Sequence, residues 1–172
     1  MTPTFQSLID RFIDTLTVVK REGEHLRFSY GRVFEEPVTH KRIQQLEQSP
    51  EEAERLEAFV SRFGRMQDTI GNKLLPRWLR AQAEEPGTLI EVLNRAERVG
   101  VLESAEDWLV ARELRNRLVH EYMQEPRAFA EDLRIAGEYT MMLHRTYDHV
   151  REFASQRMGL PQDSLPPALL AT

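Results

Sequence analysis

The chain has no cysteine, no long apolar run and no glycine-rich loop, and each absence closes a class of function. Without cysteine there can be no disulfide, no thiol nucleophile and no cysteine-based zinc site, and a reducing compartment is the natural setting. The longest uninterrupted apolar stretches are a few residues, against roughly 20 for a bilayer-spanning helix. The opening MTPTFQSLIDRF lacks the basic and apolar regions of a signal peptide, so a cytoplasmic protein with no membrane partner is expected. No phosphate-cradling loop, Walker-type lysine or serine-nucleophile motif is present. Basic charge is scarce too. With 23 Lys and Arg against 28 Asp and Glu, the net charge of −5 argues against a broad face for duplex DNA, though it allows a local basic pocket.

What is present is an ordinary globular composition: 41% hydrophobic residues is too apolar for a disordered chain, and 172 residues fit one core. Strand-like alternation is missing, and helical spacing recurs instead. Phe5, Leu8, Ile9, Phe12, Leu16 and Val19 define a first amphipathic helix over about 4–21. The stretch 23–48 gives no clear assignment beyond a short helix near 39–48. Ser49-Pro50-Glu51-Glu52 reads as a capping box with proline at the first helical position. The helix it opens should bend or break at Gly71 and Pro76. Thr88 with Glu91 opens a short helix, Ser104 with Asp107 opens another over about 105–122, and Pro126 starts a long one ending near Met158. The expectation is an all-α, four- to five-helix bundle over 1–158, followed by a flexible proline-rich tail over 159–172. No internal repeat appears.

The segment RNRLVHEY, Arg115 to Tyr122, carries the chemistry. Arg115 can fork two hydrogen bonds onto phosphate oxygens, and His120 can give or take a proton near neutral pH. Asn116 can orient either group, and Tyr122 offers a hydroxyl. At about 100° per residue, Arg115 and Tyr122 lie about 20° apart, Asn116 and His120 about 40°, and Arg115 and His120 about 140°. One straight helix therefore does not aim them at one point. Either the helix opens near His120, or a second copy supplies the missing half across a two-fold axis. Arg115 and Tyr122 also fall in the apolar sector of Trp108, Ala111, Leu114, Leu118 and Val119, where an arginine must be paired, bound to an anion or at an interface. The plainer reading is that Arg115 pairs with a glutamate, His120 sits near the helix end and Tyr122 packs on the last helix.

Arg115-Asn116-x-x-x-His120-x-Tyr122 resembles the R-x4-H-x-Y motif of HEPN proteins, in particular the HepT-like toxins of prokaryotic toxin–antitoxin pairs. The resemblance covers roughly residues 51–153. It implies a HEPN-like bundle that forms a homodimer with two motifs at a common cleft. It also implies a metal-independent endoribonuclease, with no cofactor, in which the ribose 2′-OH attacks the adjacent phosphate. His120 would be general acid or base, Arg115 would stabilise the phosphorane charge, and Asn116 would position them. A minimal nucleotidyltransferase antitoxin would attach AMP to Tyr122. Arg112 and Arg117 are candidate RNA contacts, although Glu113, Glu121 and Glu125 lie among or just after them. The alternative is a non-catalytic interaction protein that binds a nucleotidyltransferase or RNA. His144, Asp148 and His149 have metal-ligand spacing on the last helix, but no third ligand position is evident and a helix-surface pair is the expected role.

Overall fold

The helical periodicities become helices, and among the described residues there is no strand. The computed structural model describes residues 2–122 and 124–170. In chain order the helices are α1 (Phe5–Val33), α2 (His40–Gln44), α3 (Pro50–Thr69), α4 (Leu75–Arg80), α5 (Leu89–Arg98), α6 (Ala105–Glu121) and α7 (Pro126–Gln156). A π-turn over Ile70–Leu74 joins α3 to α4 without a break, which leaves four long helices and two short ones among the described residues. One hydrophobic cluster draws on all of them. At its centre Phe12, Phe59, Phe63, Trp78, Trp108 and Tyr147 are fully buried.

Several boundaries differ from the sequence reading. The first helix continues twelve residues past Arg21, because Leu26, Ser29 and Val33 extend its buried stripe. Gly23 sits inside it, and a Cβ there would collide with Leu169 Cδ1. Pro76 neither breaks nor ends its helix. Its missing N–H and bulky ring are accommodated by the π-turn just before it, where the Leu75 N–H donates to the Ile70 carbonyl. Thr88 and Ser104 accept from the N–H groups of Glu91 and Asp107 as expected, but Ser49 makes no side-chain cap. Glu52 is held by Arg42, whose guanidinium also donates to the carbonyls of Val33 and Glu36.

The C-terminal segment is docked, contrary to the expected flexible tail. Leu165 and Leu169 are buried. Tyr147 donates its hydroxyl to the Pro167 carbonyl at 2.7 Å, and Arg151 donates to that of Pro166 at 2.6 Å. Asp148 accepts from the N–H groups of Leu169 and Leu170 at 2.8 and 3.0 Å. Ala171 and Thr172, the end of that expected tail, lie outside the described residues. His144 is no surface residue either. It is buried, with Nδ1 2.7 Å from the Thr140 carbonyl and Nε2 2.9 Å from that of Gly23. His149 Nδ1 lies 3.2 Å from the Val101 carbonyl. Both histidines and Asp148 thus bind backbone, and no group of three or more metal-ligand side chains occurs among the described residues.

Candidate functional site

Helix α6 lies antiparallel on α3, and the register is set by residues with small or no side chains. A Cβ on Gly64 would sit 2.7 Å from Arg115 Nε and 3.1 Å from its Cγ. One heptad along, a Cβ on Gly71 would lie 3.3 Å from Trp108 Nε1. One heptad the other way, Glu57 faces Tyr122. The three pairs Glu57–Tyr122, Gly64–Arg115 and Gly71–Trp108 place position 64 of α3 directly beneath the arginine. A buried glycine in a helix interior costs about 1 kcal/mol against alanine, and here it admits the stem of Arg115.

Arg115 is therefore seated in a groove between α3 and α6. Its Nη2 lies 3.1 Å from Asp68 Oδ2, with both side chains about one-third exposed (34% and 40%). The arginine is paired with an aspartate, not the expected glutamate, and is still reachable by a ligand. At one end the groove holds about 330 Å³ and is mainly apolar, lined by Val60, Leu118, Val119 and Tyr122, with Glu57 and Ser61 at its edge. At the other it holds about 360 Å³ and is polar, lined by Ser61, Arg65, Thr69, Asn72 and Lys73, with Arg115 shared by both ends. A larger groove of about 420 Å³ lies away from this segment, between α1 and α3, and carries mixed charge from Arg32, Glu51, Glu54 and Arg62.

Tyr122 follows the last residue of α6, where the backbone turns to φ −54°, ψ 124°. Its ring packs edge-on against Phe129 of α7 at 5.4 Å between centroids. Burial, and next the charge of Glu57, push its phenol up to about 12, so the hydroxyl keeps its proton at neutral pH.

His120 and Asn116 are on another face. The helix stays closed through Glu121, so it does not open near His120. Both side chains are exposed, line neither end of the groove, and make no hydrogen bond among the described residues. The chain thus brings Arg115 and Tyr122 together and leaves His120 about 140° around the helix. Between them on the surface are exposed Arg112 and Val119, the valine at 58%.

Arg112 makes no ion pair among the described residues. Arg117, the other candidate RNA contact, is committed instead: its Nε and Nη2 donate to Asp132 Oδ2 and Oδ1 at 3.2 and 3.3 Å. Glu121 borders the same pair. Burial first, and Asp132 beside it, push the Glu121 carboxyl up to about 7, and its Oε2 is buried without a hydrogen-bond partner.

Sequence reading missed the α3 half of this groove: Gly64, Asp68, Arg65 and Lys73. One signal was available. Gly64 interrupts an otherwise strong helical stripe far from either end, and such a glycine marks a close approach. Which residue approaches it depends on the α3–α6 register, which no local pattern encodes. No family model matches the chain, and no curated protein or solved structure matches it significantly.

Proposed function

We propose that this chain is a HEPN-type metal-independent endoribonuclease, the toxin of a toxin–antitoxin pair, acting from the Arg115–Tyr122 segment. The observation that carries the reading is the seat of Arg115. A glycine floor and a single carboxylate hold an always-charged fork at the junction of an apolar and a basic groove. Each nucleotide of an RNA strand has that same pairing of an apolar base face and a charged phosphate.

In the proposed reaction His120 takes the proton of the ribose 2′-OH. The new O2′–P bond forms and the P–O5′ bond breaks, leaving a 2′,3′-cyclic phosphate and a 5′-OH that takes a proton in turn. Arg115 stabilises the phosphorane charge and Asn116 orients the histidine. Since α6 stays closed, the two halves meet in a homodimer. Tyr122 is the proposed site at which a minimal nucleotidyltransferase attaches AMP. The phenol oxygen would attack the α-phosphorus of ATP as pyrophosphate leaves, and Glu57 stands where it can receive the phenolic proton.

A second reading, a non-catalytic binding partner of a nucleotidyltransferase or of RNA, is favoured by the separation of His120 from Arg115 within one chain. Cleavage of end-labelled RNA in EDTA, wild type beside His120→Ala, decides between them. Cyclic-phosphate products from the wild type alone support the nuclease. No cleavage by unmodified wild type across several RNAs leaves the binding role.

A further inference from the structure

Resting on that reading, we infer that the polar end of the groove, on α3 and the π-turn, is a track for the RNA backbone: Arg65 and Lys73 hold phosphates next to the one on Arg115. Both residues are exposed, and neither makes an ion pair among the described residues. This differs from Arg117, whose fork is filled by Asp132. Positions 65 and 73 are separated by about 12 Å of helix rise, a length over which a nucleic-acid strand carries several phosphates. Ser61 and Asn72 line the same trough and can hydrogen-bond phosphate or sugar oxygens.

The local charge balance favours an anion. Asp68 is engaged by Arg115, and Glu22, the other carboxylate here, accepts from Thr69 Oγ1 at 3.0 Å. Burial raises the pKa of Glu22 against the pull of Arg65 and Lys73, which reduces its share of negative charge. At this end three cations thus face two carboxylates in a protein that is acidic overall, and the third carboxylate, Glu57, lies at the other end beside Tyr122. The apolar end supplies the complement. Val60, Leu118, Val119 and the Tyr122 ring form a surface for a base, and stacking on such surfaces tolerates any sequence. The strand would therefore cross Arg115 with a base toward Tyr122 and its continuing phosphates along Arg65 and Lys73. Because this arrangement needs unpaired bases, single-stranded RNA is the substrate class.

The test is fluorescence anisotropy with a labelled, 2′-O-methylated single-stranded RNA, which binds but has no free 2′-OH to attack. Full-length wild type is compared with Arg65→Gln/Lys73→Gln and with Arg32→Gln, a charge removed from the other groove. The double variant should bind on the order of tenfold more weakly, and its plot of log affinity against log salt should be shallower by about 1.4, the value for two lost single-strand phosphate contacts. Arg32→Gln should change neither. Unchanged affinity and slope in the double variant, an equal loss in Arg32→Gln, or no binding by wild type would each overturn the track. The nuclease reading is scored separately with unmodified RNA. Cleavage that persists while the double variant binds normally sinks the track alone, and absent cleavage with the binding pattern intact sinks the nuclease alone.

Discussion

Gly64→Ala tests whether the glycine exists for Arg115. In an exposed helix interior this change stabilises by about 1 kcal/mol through helix propensity. Here the new Cβ would start 2.7 Å from Arg115 Nε and 3.1 Å from Cγ, and the three nearest atoms all belong to that side chain. Atoms in the middle of the stem cannot swing aside as a terminal group can, so the arginine must leave its seat. Overpacking of this kind costs about 1–3 kcal/mol. The Asp68 pair, one-third exposed, adds only about 0.2–1 kcal/mol when lost. With about 1 kcal/mol regained through helix propensity, the single variant should therefore be neutral to about 3 kcal/mol less stable by urea unfolding. In an Arg115→Ala background the clash is gone, and the same substitution should stabilise by about 1 kcal/mol, raising Tm by roughly 2–4 °C. The difference between backgrounds is the coupling of the two positions. RNA cleavage should fall on the order of a hundredfold in Gly64→Ala, as for removal of one charge-stabilising donor, with no additional loss in the double variant. Equal destabilisation with and without Arg115 would refute the argument, since another neighbour would then be filling the space above Gly64.

Other predictions concern the frame around the site. Asp148→Ala removes the acceptor of the Leu169 and Leu170 N–H groups. It should cost about 1–3 kcal/mol and expose the segment after Gly159 to limited proteolysis that spares the wild type. Tyr122→Phe keeps the ring on Phe129 and should shift stability by less than about 1 kcal/mol, while abolishing any mass gain of one AMP on co-expression with a minimal nucleotidyltransferase. Glu121 has a folded pKa, about 7, above its ordinary value of 4.5, so the folded state holds its proton more tightly. That contribution to stability is complete below pH 4.5 and lost as pH rises through about 7. After solvent screening it amounts to about 1 kcal/mol or less, and Glu121→Gln should flatten the profile of unfolding free energy against pH in this window.

How much of this was legible in the sequence depended on whether a feature is local. Thr88 and Ser104 cap the helices they precede, since a cap needs only the next three residues. Ser49 offered the same pattern but makes no side-chain cap, and the carboxylate that would complete its box, on Glu52, is bound by Arg42 from ten residues upstream. The length of α1 was hidden for a similar reason. Gly23 looks like a helix end until Leu169, distant in sequence, is seen to occupy the space its missing side chain leaves. The tail reads as loose because prolines break helices, yet proline carbonyls remain good acceptors, and Tyr147 and Arg151 use them. At the site, the split of the motif into two faces follows from helix geometry alone. The floor under Arg115 does not, because it requires the pairing of α3 with α6.

That pairing bears on how the motif can be completed. With Gly64 under Arg115 and Gly71 under Trp108, α6 cannot roll by the roughly 140° that would carry His120 to the groove. The fully buried Trp108 would have to be expelled on the way. Within one chain the two groups therefore stay apart, so the proposed reaction would need His120 from another copy. This makes a specific demand on mixtures. Arg115→Ala and His120→Ala should each be inactive alone. In a mixed dimer one composite site lacks both groups, while the other pairs an intact Arg115 with an intact His120. Random exchange puts half of all dimers in that state with one of two sites working, so the mixture should recover about a quarter of wild-type cleavage. Activity that depends on the square of protein concentration near the dissociation point would agree with it. A mixture as inactive as its components, under conditions where subunits demonstrably exchange, would mean that the two residues do not complete one another across the interface.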